Sequence, residues 1–246
     1  SFPTRRSSDL TTSVNAGSAN GSAGKWLLDP VNVVIDSTSA TTITDSLTSS
    51  DVAVTASGAS ASISVNAPLT WGVHILSLES GGNVYINDIV TAKGPFAGLM
   101  VKTGYSTPGV NGGTYDATKS LLFGLSSSGF KGRINIQDAS GVARSGFGFV
   151  LNGSSYSLIN DVTSLQNNMA AGLSGNYVLT GDIDASATAG WNAGAGFVPI
   201  GDSVTKFTGR FNGLGHTISN LTINRSGTDY VGLFGYSTGS IQSLGL

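Results

Sequence analysis

The C-terminal part of the chain overlays itself at an offset of 23 residues. Phe207 falls on Tyr230, Gly209 on Gly232, Phe211 on Phe234, Thr217 on Ser240, Ile218 on Ile241, Leu221 on Leu244 and Ile223 on Leu246. Aromatic, glycine and aliphatic positions recur together, which composition bias alone does not readily produce. A shorter repeat lies upstream at an offset of 21, where Ile63-Ser64-Val65-Asn66 falls on Val84-Tyr85-Ile86-Asn87. A repeat this short cannot bury its own apolar face. Only stacking on its neighbours makes a core, so self-similarity at such a period restricts the fold to stacked arrays.

The local pattern says what is stacked. Val31-Asn32-Val33-Val34-Ile35, Val52-Ala53-Val54, Ile63-Ser64-Val65, Val84-Tyr85-Ile86 and Ile134-Asn135-Ile136 alternate apolar with small or polar residues. Gly, Asn, Ser or Asp bound them, so they read as short strands. A period of short strands without intervening helices is one coil of a parallel β-solenoid. The repeated pairs should then stack about 4.8 Å apart, with Ile63, Val65, Val84 and Ile86 inward across residues 25–157. Asn66 over Asn87 should form an amide ladder between coils. Gly209 and Gly232 should sit where a Cβ would clash or where φ is positive. An antiparallel sandwich would need hairpin signals every 8–12 residues or so and leaves the longer period unexplained.

One helix is expected over 163–170. Thr163 and Gln166 have capping-box spacing, and Leu165 with Met169 gives the apolar i, i+4 contact. The fold class is therefore all-β, a parallel β-solenoid with one short helix. Segments 11–157 and 158–246 are its two parts.

Composition excludes several functions. Charged residues make up only 11% and the net charge is −2, with no basic stripe for nucleic acid or for an anionic membrane surface. Hydrophobic residues at 39% supply a core. Gly, Ser, Thr and Asn together account for 112 of 246 residues, which suits turns and outward strand faces in water. The absence of cysteine excludes disulfides and thiolate chemistry. No apolar run is long enough for a membrane-spanning helix. The chain does not begin with Met, and Ser240 to Leu246 stops inside a strand-like run. It reads as a fragment open at both ends, whose last strand should expose an unpaired edge prone to edge-to-edge association. Residues 1–10 share nothing with the repeats and resemble a translated sequencing-library adapter, so they are left out of the fold argument.

Candidate chemistry is sparse. The two histidines, His74 and His216, lie in or beside turns and read as structural hydrogen-bonders rather than general bases. Asp182 and Asp184, at i and i+2, should point to one face of a strand, as half of a calcium site or of a glycosidase pair would. The solvated structural reading is preferred. Lys131, Arg133 and Asp138 form the densest charged group. A β-helical polysaccharide lyase or glycosidase would need clustered acids with Arg or Lys on one sheet, and this alternative is kept. Trp26, Trp71 and Trp191 could stack on glycans, against a plainer role in packing. The sequons at Asn152, Asn220 and Asn224 carry no weight in a chain this rich in Asn, Ser and Thr. No catalytic residue, metal ligand or cofactor is assigned, and binding residues stay unassigned.

The segment Phe207 to Asn224, with Tyr230-Val231-Gly232-Leu233-Phe234-Gly235, resembles the GLUG repeat of bacterial surface proteins. Asn176 to Asp184 and Gly196 to Gly201 resemble its lead-in. Trp26 to Pro30, Ile63 to Trp71 and Gly82 to Asn87 resemble filamentous-haemagglutinin-type adhesins of two-partner secretion. The resemblance implies a right-handed parallel β-helix, secreted or held on the outer surface of a bacterial cell. It also implies an outer-membrane barrel transporter as export partner and a glycan or protein receptor on a host cell or surface.

Overall fold

The computed structural model describes residues 25–28, 32–105, 115–143 and 148–246. The expected adapter segment, residues 1–10, lies outside them. The chain forms two compact units, one within residues 1–142 and 148–154, the other within 143–147 and 155–246.

In the first unit the chain visits three sheets in rotation. The first sheet holds Lys25–Leu28, Asp51–Ala56, Ile75–Ser80, Gly98–Lys102 and Phe149–Leu151 in spatial order. The second holds Val33–Ile35, Ile63–Val65, Val84–Ile86 and Leu121–Phe123, and the third Leu69–Trp71, Ile89–Lys93 and Arg133–Gln137. The strands named pair in parallel within each sheet. Period-2 alternation turns one face of each strand into a common core. Val52, Val54, Leu76, Leu78, Ile63, Val65, Val84, Ile86, Val90, Ile134 and Ile136 are all 0% exposed.

The upstream repeat behaves as expected. Ile63 pairs with Val84, Ser64 with Tyr85 and Val65 with Ile86. At the strand ends Asn87 Nδ2 donates to Asn66 Oδ1 at 2.8 Å. The next step of this sheet is longer, because residues 103–120 intervene before Leu121 meets Val84. Leu125–Ser126 and Gly129–Phe130 form an antiparallel hairpin outside the stack.

The expectation of one helix is corrected: the described residues contain two α-helices and a 3-10 stretch, Ser186–Gly194. Helix α1, Ser37–Ser46, replaces the third-sheet strand of the first coil and packs beside Leu69–Trp71, the outermost strand of that sheet. Asp36 caps it, accepting from Ser39 N–H at 2.9 Å. Ala40, Ile43 and Leu47 form its buried face. Its Ser and Thr hydroxyls bond back to its own carbonyls, Thr42 to Thr38 and Ser46 to Thr42. Those carbonyls already accept from helix N–H groups, so the Asp36 cap and the buried face are what hold this Ser/Thr-rich sequence of low helix propensity in place.

The second unit stacks Ser157–Ile159, Asn176–Leu179 and Arg210–Ser219 in parallel. Ile183–Asp184 and Ser240–Gly245 also pair in parallel with Arg210–Ser219. Helix α2, Val162–Ala171, lies where a helix is expected, with Leu165 and Met169 at 0% exposure. Its cap differs: Asp161 accepts from Ser164 N–H, and Ser164 returns its hydroxyl toward Asp161 N–H. Gln166 instead clamps Val198, donating to its carbonyl at 3.1 Å and accepting from its N–H at 2.8 Å.

The 23-residue register is overturned. Phe211 pairs with Ile241, not Phe234, and Phe207 bridges Ser237, not Tyr230. Thr217 pairs with Gly245, and Ile218 with Ile183. The aromatic positions recur because they meet in one core, not because they stack in one ladder. The Phe234 ring lies 5.1 Å from Phe207 and 5.5 Å from Phe211. The stacked period is longer: Tyr177 pairs with Phe211 and Ile200 with Phe234. Gly209 fits its expectation, since a Cβ there would run into the Gly175 carbonyl. Gly232 does not; the positive φ falls on Tyr230, at 60°.

Truncating Ile63 or Ile86 to Ala should cost about 2–5 kcal/mol. Gly209→Ala should lower the melting temperature, whereas Gly227→Ala, with nothing within 4 Å of its Cβ position, should leave it unchanged. Thermal melts followed by circular dichroism check all four.

Candidate functional site

Each histidine lies against a carboxylate from an earlier stretch of chain. Asp51 opens one first-sheet strand, and His74 precedes the next. The corresponding atoms, His74 Nδ1 and Asp51 Oδ1, lie 3.4 Å apart, and Ile75 N–H donates to the same oxygen at 2.9 Å. His74 has a φ of 66° and marks the corner, and its carbonyl accepts from Trp71 Nε1 at 3.2 Å.

The second unit repeats the arrangement. His216 Nδ1 lies 3.2 Å from Asp182 Oδ1, and Thr217 N–H donates to that oxygen at 3.0 Å. In each case one carboxylate oxygen fastens a histidine and the following backbone N–H of the next rung. His216 is 1% exposed, so its ring is sealed from a dissolved substrate. The partners lie 23 and 34 residues before their histidines, a separation that only the coil length could have revealed.

Asp182 and Asp184 do face one side, with buried Ile183 between them. Each is engaged by the neighbouring rung rather than by the other. Asp184 accepts from Asn220 Nδ2 at 3.0 Å and from Ser186 N–H at 2.9 Å. The Asn220 amide, then Ser186, holds its carboxyl below the ordinary carboxylate value.

Lys131, Arg133 and Asp138 are not gathered. Arg133 opens and Asp138 follows the strand Arg133–Gln137, so their backbones lie about 16 Å apart at the rise of a strand. Asp138 closes a turn, accepting from the Ser140 hydroxyl at 2.6 Å and Val142 N–H at 3.0 Å. The Ser140 hydroxyl is the largest cause of its lowered pKa. Among the described residues no three His, Asp or Glu side chains converge as a metal site would require.

Trp71 is buried, and Trp191 packs against the core around Phe197, Ile200 and Phe207. The Trp26 side chain lies outside the described residues.

What the coils present outward is a set of uncharged ladders. Ser62 N–H donates to Asn32 Oδ1 and Ser120 N–H to Asn83 Oδ1, each at 2.8 Å. Asn135 Nδ2 donates to Thr91 Oγ1 at 3.0 Å. On the second sheet Val34, Ser64, Tyr85 and Leu122 align outward in register, with Val34 46% and Leu122 39% exposed. Charge enters as single pairs, such as Lys102 with Glu79 at 3.5 Å across adjacent first-sheet strands.

Two curated proteins match parts of the chain. It is 52% identical over 80 residues to "Halomucin" of Haloquadratum walsbyi, covering 30% of this chain and 1% of that protein. It is 38% identical over 73 residues to a "Putative Gly-rich membrane protein" of Evansella cellulosilytica, covering 29% of this chain and 8% of that one. The chain therefore spans a small fraction of either relative. No protein-family model and no solved structure matches it.

Asn220→Gly keeps the left-handed backbone at this position, where φ is 57°, and removes the amide. The Asp184 carboxyl should then titrate closer to its ordinary value, read by carbon NMR of the side chain. Because the folded value is depressed, whatever Asp184 contributes to stability is present above the ordinary carboxylate range. It is lost as pH falls through the folded value, and the variant should show less of that acid-side loss.

Proposed function

We propose that the chain is a stretch of right-handed parallel β-helix, a solenoid whose work is structural and adhesive. It would belong to a large secreted or surface-exposed bacterial adhesin of the filamentous-haemagglutinin type carrying GLUG repeats. The observation that carries the reading is the rotation of the chain through three parallel sheets over one shared core. Such a shaft extends by adding coils and presents a long lateral surface. The outward ladders of Asn, Ser and Thr, with isolated apolar residues such as Val34 and Leu122, give that surface many weak hydrogen-bonding and apolar contacts and little charge. Multivalent contact along a shaft then supplies avidity without a deep pocket. Relatives bearing the names of a mucin and of a membrane protein fit a place at the cell surface. An outer-membrane barrel transporter would be the export partner, and a host-cell glycan or protein the receptor.

Beads coated with the chain should be retained on epithelial monolayers above albumin-coated beads, and soluble chain should compete. Retention equal to albumin would overturn the adhesive reading while leaving the β-helix intact.

A further inference from the structure

Arg225 is held in place by oxygens that carry no full charge. Its Nε donates to the Phe197 carbonyl at 3.0 Å and its Nη2 to the Gly196 carbonyl at 3.4 Å. Those two groups make up one edge of the guanidinium. Its backbone is fixed as well. The Arg225 carbonyl accepts from Thr228 N–H at 3.1 Å and from the Thr228 hydroxyl at 3.0 Å, and Asn224 N–H donates to the Ala195 carbonyl at 3.0 Å. The ammonium groups of Lys102 and Lys119 lie 3.5 and 3.6 Å from carboxylates. Among the described residues Arg225 forms no such pair, and it is half-exposed. Its other edge, Nη1 and the second N–H of Nη2, makes no hydrogen bond within the described residues.

The Gly196 carbonyl has a second donor. Asn192 Nδ2 reaches it at 2.7 Å, so the Asn192 amide and the Arg225 guanidinium stand side by side across one oxygen. The amide is placed there against backbone preference. Asn192, Ala193 and Gly194 are left-handed in succession, with φ of 53°, 54° and 88°, and two of the three carry a Cβ. Such angles persist only where the surroundings impose them, and such outliers gather at ligand sites. Asn192 is exposed, and its Oδ1 accepts nothing from the described residues.

The chemistry of the pair is specific. A guanidinium whose side edge is taken by carbonyls presents its end edge as a rigid fork of two parallel N–H groups. That fork matches the two oxygens of a carboxylate. Carbonyl anchors orient the cation without neutralising it. The adjacent amide offers one donor and one acceptor, the complement of a hydroxyl group. Carboxylate and hydroxyl side by side on one ring belong to an acidic sugar, whereas an aspartate or glutamate side chain brings no hydroxyl.

Deepening the adhesive reading above, on which it rests, we propose that Arg225 and Asn192 form a subsite for a carboxylated sugar, a uronic or sialic acid residue of the receptor glycan. Arg225 takes the carboxylate in two parallel hydrogen bonds, and Asn192 takes a neighbouring hydroxyl.

Glucuronic acid and N-acetylneuraminic acid are the probes, titrated separately into the full isotope-labelled chain and followed by NMR. At least one should give saturable shifts at the Arg225 and Asn192 side chains, with an affinity on the order of millimolar that weakens as salt rises. Glucose, without the carboxylate, should shift nothing. Acetate, without the hydroxyls, should bind about tenfold more weakly. Arg225→Gln should weaken sugar binding about tenfold or more, and Arg225→Lys, which keeps the charge and loses the fork, nearly as much. Asn192→Gly keeps the left-handed backbone and should reduce sugar binding to the acetate level while leaving acetate binding unchanged. It carries the test alone should the Arg225 variants fail to fold. Arg210→Gln removes an exposed guanidinium of the same unit and should change nothing. The proposal falls if neither sugar binds, if Arg225→Lys binds as the unaltered chain does, if a glutamate-containing peptide competes as well as the sugars, or if Arg210→Gln is equally damaging. Bead retention without acidic-sugar binding would sink this subsite and leave the adhesive reading standing. Sugar binding with retention at the albumin level would do the reverse.

Discussion

Everything in this protein depends on how closely one turn of chain lies on the next. Strands in parallel register stand about 4.8 Å apart, and at the corners the backbones are closer than a side chain allows. A Cβ on Gly82 would meet the Ala61 carbonyl, on Gly132 the Ile86 carbonyl, and on Gly239 the Gly209 carbonyl. Glycine is therefore placed by steric need at these corners, even where φ is negative. A good part of the glycine, which composition alone would assign to flexible loops, sits here in tight contacts between neighbouring strands, while others such as Gly58 and Gly227 stand in open space.

The same closeness decides what else can sit between rungs. Two like charges one strand spacing apart repel, so a ladder of charged residues is excluded and a ladder of amides or hydroxyls is favoured. Asn87 donating to Asn66 and Asn135 donating to Thr91 show that choice between side chains, and Asn83 accepts from the backbone N–H of Ser120. Each links neighbouring strands through one uncharged hydrogen bond. Low overall charge is then a consequence of the architecture, and it leaves the exterior with neither an acidic cleft nor a basic stripe among the described residues.

The sequence was legible where successive strands of a sheet keep a constant separation along the chain. Ile63 pairs with Val84 at 21 residues, so the offset coincided with the spatial register. In the second unit the register runs from Tyr177 to Phe211, shortens at Ile241, and shifts again at a bulge before His216 meets Leu244. No single offset describes both steps. The offset of 23 aligned aromatic residues that share one core from different sides. The ladder was nonetheless written in the sequence, as Gly196-Phe197-Val198-Pro199-Ile200-Gly201 over Tyr230-Val231-Gly232-Leu233-Phe234-Gly235. Gly201 and Gly235 hold equivalent tight positions, the Cβ of the latter meeting the carbonyl of the former. Helix α1 stayed hidden for a different reason: within Ser37–Ser46 only Ala40 and Ile43 are apolar, too few to show a helical period in a run of Ser and Thr of low helix propensity.

The histidines, expected from the sequence as structural hydrogen-bonders, show what the carboxylates beside them do. His, Asp and Ser in one chain suggest a proton relay, yet here each carboxylate does a backbone task. Where a coil turns a corner, the first N–H of the new strand lacks a carbonyl opposite it, and leaving it unpaired near the core is costly. Asp51 supplies the acceptor for Ile75, and Asp182 for Thr217. A carboxylate so placed has a second lone pair on the same oxygen, and the residue before the bonded N–H is the nearest to reach it. His216 Nδ1 does so in the second unit, and in the first His74 Nδ1 lies 3.4 Å from the corresponding oxygen. The recurrence of one arrangement in both units marks it as a way of satisfying the first N–H groups of a parallel strand. In such a stack, a carboxylate–histidine pair earns a catalytic reading only when the backbone beside it is already satisfied by another acceptor.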